Sequence, residues 1–154
     1  AVSGVETGWL FANASEAGGG GSLQFGDTVA VGNGTLDAGT SVSFFLAANG
    51  SAGDSAIRDG VLDGTVATYY GLDFLNPEAD FTHTMDSSVA ESRHVAMLFT
   101  DDDREEVIMG FEDLNRVDRR WNGDRVSDED FNDAVFMIRS DPADAFGDSN
   151  IATA

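Results

Sequence analysis

The sequence predicts an all-β fold, an antiparallel β-sandwich that is jelly-roll-like. Short runs that alternate apolar and polar residues recur along the chain, and Asn-Gly and Asp-Gly dipeptides separate several of them. No window of the sequence carries a sustained apolar stripe at helical spacing. The 154 residues, of which 42% are hydrophobic, are enough to bury a core. We therefore expect a single β-sandwich domain over residues 1–154.

The first half of the chain contains the shorter strand candidates. The apolar residues 9–11 predict a first strand, and the glycine run in residues 18–22 predicts a flexible loop. Alternation over residues 41–46 and the β-branched and aromatic run at residues 65–70 predict further strands. Turn dipeptides such as Asp59-Gly60 lie between these runs, as expected for hairpins.

The second half contains the clearest strands. Residues 94–100 and 105–111 are apolar runs separated by a short acidic turn, which predicts a hairpin. Residues 133–139 predict a closing strand beside it. Before the hairpin, residues 71–92 are expected to be irregular because Pro77 cannot donate to a strand ladder.

The tail over residues 140–154 is polar and rich in small residues. We expect a C-terminal tail here, with Phe146 as its candidate anchor.

The formal net charge is −20, from 28 acidic and 8 basic residues, and all of the basic residues are Arg. A surface this negative repels phosphate backbones, so we expect no nucleic-acid partner. No run approaches the roughly 20 apolar residues that span a bilayer, so we expect no membrane insertion. Repulsion among these negative charges destabilises the folded state unless cations offset it. A calcium-rich exterior and a high-salt habitat both satisfy that requirement.

The sequence contains no cysteine, which excludes disulfides and thiolate metal sites. A secreted protein without disulfides needs another source of stability, and a bound calcium ion can supply it. No signal sequence opens the chain, so we expect either a mature protein or a module of a larger multidomain protein.

Oxygen-donor side chains concentrate at both ends of the stretch from residue 110 to residue 138. Calcium takes six to eight oxygen ligands at about 2.3–2.6 Å in a tolerant geometry. The hairpin exit and the start of the closing strand should meet at one rim of the sheet, where a Ca²⁺ ion could join them. The candidate ligands are Glu112, Asp113, Asp128, Asp130, Asn132 and Asp133. Asp113 is expected to contribute through its backbone carbonyl or by supporting the other ligands.

The spacing within this stretch is not that of an EF-hand. Counted from Asp128, the sixth position is Asp133 rather than glycine, and the twelfth is Arg139 rather than glutamate. The alternative interpretation is a solvated acidic turn that precedes a strand.

A basic and aromatic loop lies between the two acidic groups and contains Arg119, Arg120 and Trp121. Arg and Trp are enriched at binding hot spots, and a Trp beside calcium would suit a sugar ring. These three residues are candidates for binding an extracellular carbohydrate or another cell-surface ligand. The alternative is ion pairing of the arginines with nearby acids, which contributes little.

The sequence does not favour an enzyme. The only two histidines, His83 and His94, belong to different segments, and no nucleophile elbow, P-loop or dinucleotide fingerprint is present. His94 heads an apolar strand, where we expect a structural histidine with a satisfied hydrogen bond. A hydrolase of extracellular polymers is the alternative among enzymes, and a calcium-rigidified spacer is the alternative among structural proteins.

Four motifs carry a resemblance to a known family. G-F-E-D-L at residues 110–114 and D-x-D-F-N-D-x-V-F at residues 128–136 are similar to the terminal signature of the bacterial domain-of-unknown-function family numbered 4114. Upstream, N-P-E at residues 76–78 and H-x-x-x-L at residues 94–98 resemble two further elements of that family. The resemblance implies calcium binding in an extracellular or surface protein, beside calcium-dependent adhesin modules.

Overall fold

The computed structural model of this chain describes residues 8–15, 20–32, 34–50, 57–58, 61–62, 67–76, 78, 92–100, 103–116, 122–123, 126–146 and 152–153. Its contacts divide the chain into two compact units. The first unit consists of Ala1–Val42 and Asn49–Ala67, and the second consists of Ser43–Ala48 and Thr68–Ala154. One domain over residues 1–154 stays a prediction.

Strands and two short 3-10 turns are the regular structure of the described residues, which contain no α-helix. The strands are β1 (Phe45–Ala47), β2 (Ile57–Arg58), β3 (Val61–Leu62), β4 (Thr68–Tyr70), β5 (Val95–Phe99), β6 (Glu106–Phe111), β7 (Ala134–Arg139) and β8 (Ala152–Thr153). The 3-10 turns are Asp73–Leu75 and Ala143–Phe146. The expected low helix content is therefore confirmed for this part of the chain.

In the first unit, β2 and β3 pair antiparallel, with Ile57 opposite Leu62 and Arg58 opposite Val61. They flank the dipeptide Asp59-Gly60, as the turn signal predicts, although the dipeptide itself lies outside the described residues.

The strand predicted at residues 9–11 is wrong, because no strand is present there. Just after these residues, the side chain of Asn13 offers backbone groups partners other than a neighbouring strand. Its Oδ1 accepts a hydrogen bond from the Ser15 N–H at 2.9 Å, and its Nδ2 donates to the Gly20 carbonyl at 3.1 Å. Such local bonds compete with a strand ladder.

The second unit contains a four-stranded sheet in the order β7-β6-β5-β8. β6 pairs antiparallel with β5 and β7, and β8 adds to β5 in parallel. The strands predicted at residues 94–100, 105–111 and 133–139 are confirmed to within one residue at each end. These strands were predictable because each is a run of alternating or continuous apolar residues with polar residues at its ends.

A second, two-stranded antiparallel sheet of β1 and β4 belongs to the same unit. The core consists of Val95, Met109, Phe111 and Ala134, and Phe44 and Leu46 pack against it from the β1 side. Two sheets therefore share one core within this unit, and the predicted all-β sandwich is confirmed.

The C-terminal residues are tied to the sheet. The ring of Phe146 meets Phe99 edge-on, with centroids 6.3 Å apart, which agrees with its expected role as an anchor. Beyond the 3-10 turn, Ala152 pairs with Leu98. Sequence reasoning missed β8 because its two small residues carry no periodicity.

Among the described residues, no helix has the length and apolar character to cross a membrane.

Candidate metal centre

Glu112 follows the last residue of β6 and is held by β5. Its N–H donates to the His94 carbonyl at 3.0 Å, so the β5–β6 ladder extends by one pair beyond the strands. The residue is fully buried, at 0% exposure. Neither of its carboxylate oxygens has a hydrogen-bonding partner among the described residues. A buried carboxylate without a partner is costly, so its ionised form is disfavoured here unless a positive charge lies nearby.

A loop that leads into β7 lies beside Glu112. Ser127 Oγ accepts a hydrogen bond from the Glu129 N–H at 3.0 Å. The carboxylate of Asp130 accepts from the Asn132 backbone N–H at 3.1 Å, and it also accepts from the Asn132 side-chain amide. Glu129 and Phe131 adopt left-handed conformations, with φ of 64° and 56°. The loop is therefore a specific conformation, since such φ values are uncommon for residues other than glycine.

Gly110 allows this loop to approach β6. A Cβ atom at Gly110 would overlap sterically with the Phe131 carbonyl oxygen. Gly110 opens the motif at residues 110–114, and Phe131 lies within the motif at residues 128–136. The two motifs are therefore in contact through the backbones of these two residues. Close backbone approach is a common reason for glycine in a strand.

Three carboxylates converge where the loop meets the end of β6. One oxygen from each of Glu112, Asp128 and Asp130 can be chosen so that all three lie within 4.8 Å of one another. Glu112 is buried, whereas the two aspartates are exposed. Oxygens at this separation can share one cation, and backbone carbonyls or water would complete a calcium shell.

The other three predicted ligands have different positions. Asp133 Oδ2 accepts a hydrogen bond from the Asp113 N–H at 2.8 Å, and the Asp133 N–H donates to the Phe111 carbonyl at 3.1 Å. The amide of Asn132 contacts Asp130 rather than joining the three carboxylates. Asp113, Asn132 and Asp133 therefore support the loop and the corner, and their role as ligands stays a prediction.

The electrostatics of the centre favour a cation. Burial raises the pKa of the Glu112 carboxyl, and the nearby Asp133 and Asp128 charges raise it further. The Ser127 side chain and the Leu114 backbone N–H lower that pKa in part, although the geometry of neither contact meets that of a hydrogen bond. Burial, followed by the same two aspartates, also raises the pKa of Asp113. Burial, together with the negative charge of the two aspartates, therefore disfavours the ionised state of both groups.

A buried pair behind Glu112 was not predicted. His94 Nδ1 lies 2.8 Å from the Glu112 carbonyl, and His94 Nε2 lies 3.1 Å from Glu78 Oε1. The side chains of His94 and Glu78 are 0% and 1% exposed. The Tyr69 ring stacks on the imidazole at 4.1 Å between centroids. His94 is therefore held in the core between Glu112 and Glu78, and Glu78 comes from the irregular segment before β5. A purely structural role for His94 stays a prediction.

Burial alone would raise the pKa of the Glu78 carboxyl, but the imidazole and two backbone N–H groups bring it below its ordinary value. The neighbouring Asn76 fixes the same segment. Its Oδ1 accepts from the Tyr70 N–H, and its Nδ2 donates to the Tyr70 and Ser92 carbonyls. The N-P-E and H-x-x-x-L elements are the sequence signal that could have paired Glu78 with His94.

Arg119, Arg120 and Trp121 lie outside the described residues, so their proposed role in ligand binding stays a prediction.

The model of one protein family, a domain of unknown function (DUF4114), matches residues 36–141. No curated protein and no solved structure matches this chain. The match covers more than half of the chain and includes β1 to β7, all four motifs and the three converging carboxylates. This chain belongs to the DUF4114 family.

Proposed function

We propose that this protein binds a calcium ion between Glu112, Asp128 and Asp130. The observation that carries the proposal is Glu112, whose buried carboxylate lacks a hydrogen-bonding partner among the described residues and faces two further carboxylates. A divalent cation would supply the missing positive charge. A sodium ion would supply only one positive charge, although its binding would remove the same carboxylates from water.

The chemistry of the donors supports calcium over transition metals. All three donors are carboxylates, which suit hard cations. His94 is close to Glu112, but each of its ring nitrogens already faces an oxygen atom. Calcium tolerates an irregular shell in which water completes the coordination, whereas magnesium requires near-ideal octahedral geometry. The irregular loop and its exposed aspartates fit the coordination of calcium better than that of magnesium.

The bound ion would join the end of β6 to the loop before β7, so its role is to stabilise the domain. Sites of extracellular modules have dissociation constants of about 10⁻⁴–10⁻³ M, which match calcium concentrations outside cells. We therefore propose an extracellular, calcium-stabilised module of a surface protein that is not itself an enzyme. Adhesion through a carbohydrate or another surface ligand remains part of this proposal, with a purely structural spacer as its alternative.

Calorimetric titration tests the site. Calcium chloride is titrated into the chelator-treated protein, into Glu112→Gln and into the control Glu105→Gln, which replaces an exposed glutamate just before β6. We expect one calcium ion to bind to the wild type and to Glu105→Gln. For Glu112→Gln we expect the affinity to fall by at least about tenfold, which corresponds to roughly 1.4 kcal/mol. A wild type that binds no calcium, or equal affinity in Glu112→Gln, would contradict the proposal.

A further inference from the structure

Arg116 contacts both the loop before β7 and the buried pair behind Glu112. Its side chain is 11% exposed, and its Nη2 lies 3.7 Å from Glu129 Oε1. Its guanidinium lies over the Phe131 ring, 5.1 Å from the centroid. On the other side, Nη1 donates to the Arg93 carbonyl at 2.6 Å, and the Arg116 N–H donates to Glu78 Oε1 at 3.1 Å. One residue therefore connects the loop to the segment that contains His94.

The contacts of the loop alternate along its sequence. Glu129 and Phe131, the two residues with left-handed backbone, are the ones whose side chains contact Arg116. Asp128 and Asp130, at the intervening positions, contribute the carboxylates that converge with Glu112. Left-handed backbone is strained at residues other than glycine, so contacts elsewhere must hold this conformation. Arg116 contacts both strained residues, Glu129 through an ion pair and Phe131 through a cation–π contact.

We propose that Arg116 is a positioning residue for the metal centre. By holding Glu129 and Phe131, it keeps the loop in the conformation that directs Asp128 and Asp130 toward Glu112 before the ion binds. A site formed in advance binds more tightly because less ordering accompanies binding. This inference rests on the proposed calcium site, and it assigns to Arg116 an effect on calcium affinity without direct contact with the ion.

Two simpler roles for Arg116 predict different results. If its charge acted only through space, it would repel calcium, and removal of the charge would strengthen binding. If Arg116 contributed only to stability, its replacement would lower the free energy of unfolding and leave the calcium affinity of the folded protein unchanged. A positioning role predicts weaker binding after the positive charge is removed. The direction of the change therefore separates the three roles.

The test compares calcium affinity in wild type, Arg116→Met, Arg116→Lys and a matched control, Arg104→Met. Arg104 also lies over an aromatic ring, 5.4 Å from the Phe99 centroid, but it precedes β6 whereas Glu112 follows it. We expect binding about tenfold weaker in Arg116→Met, with partial recovery in Arg116→Lys, since a preformed site is worth such factors. Arg104→Met should bind calcium as the wild type does.

Unchanged or tighter calcium binding by folded Arg116→Met would overturn the positioning role and leave the calcium site itself standing. A wild type that binds no calcium would instead contradict the proposed function. If Arg116→Met does not fold, Phe131→Leu removes the cation–π contact without a change of charge. Binding about threefold weaker in that variant would support the inference, and unchanged binding would overturn it.

Discussion

Glu112 is the residue on which the proposed calcium site depends. Its carboxylate is buried without a hydrogen-bonding partner among the described residues, and its pKa is raised by burial and by Asp133 and Asp128. Without a cation, the ionised side chain therefore opposes folding. With a cation, the same burial strengthens the attraction between the carboxylate and the ion, because little water screens it.

Replacement of Glu112 should accordingly have opposite effects in chelator and in calcium. In chelator near neutral pH, Glu112→Gln should raise the free energy of unfolding by on the order of 1 kcal/mol, because it removes an uncompensated buried charge. In saturating calcium, the wild type should be the more stable of the two. Urea unfolding of both proteins under the two conditions measures this, with Glu105→Gln as the control. If Glu112→Gln were less stable than the wild type in chelator, the carboxylate would have a partner within the protein.

The raised pKa values of Glu112 and Asp113 also predict a dependence on pH. Between the ordinary and the raised values the folded state binds more protons than the unfolded state, so the stability of the calcium-free protein should fall as pH rises through that window. Calcium requires the ionised groups. The rise in melting temperature that calcium causes should therefore be larger at about pH 7.5 than at about pH 5.

The lowered pKa of Glu78 does not confound that comparison, because its contribution is present above the ordinary carboxyl value and is lost only as pH falls below it. Melting curves at both pH values, with chelator and with calcium, provide the measurement. A calcium-induced shift that grew on acidification would contradict the assignment.

At the scale of single residues, the sequence predicted Glu112, Asp128 and Asp130 because acidic residues cluster where a hairpin ends and a strand begins. It did not predict the burial of Glu112, or the contact of Glu78 with His94. Both follow from packing between segments that are distant in sequence, and neither alternation nor spacing encodes such packing.

Among the elements, the contact between β6 and the loop before β7 is the most sensitive to substitution. Alanine in a strand normally stabilises relative to glycine. At Gly110, however, the added Cβ would meet the Phe131 carbonyl oxygen, so Gly110→Ala should destabilise the protein by roughly 1–3 kcal/mol. It should also weaken calcium binding, because the loop must move away from Glu112. Urea unfolding and calcium titration measure the two effects.

Gly8→Ala is the matched control, since no atom lies within 4 Å of the added Cβ and the substitution should be nearly neutral. Wild-type stability and calcium affinity in Gly110→Ala would show that the loop does not depend on this close approach.

Prediction of the elements from sequence was accurate where the pattern was long. β5, β6 and β7 were predicted because their runs of five or six residues have clear polar boundaries. At residues 9–11, a run of three apolar residues without alternation formed no strand. β8 was missed because a two-residue parallel addition depends on the strand already present and not on its own sequence.

For the whole molecule, the net charge of −20 requires compensation by cations. Screening by salt acts on all exposed charges, so sodium chloride should stabilise the wild type and Glu112→Gln similarly. A specific calcium site should stabilise only the wild type beyond that effect. The composition could not separate these two causes, and the convergence of three carboxylates on one position is the reason that we propose a specific site.

The measurement that tests the central claim most directly is anomalous diffraction from a crystal of the protein grown with calcium. We predict one strong anomalous peak between Glu112, Asp128 and Asp130, with cation–oxygen distances of about 2.3–2.6 Å. Water alone among these three side chains, or a peak only at other acidic residues, would contradict it.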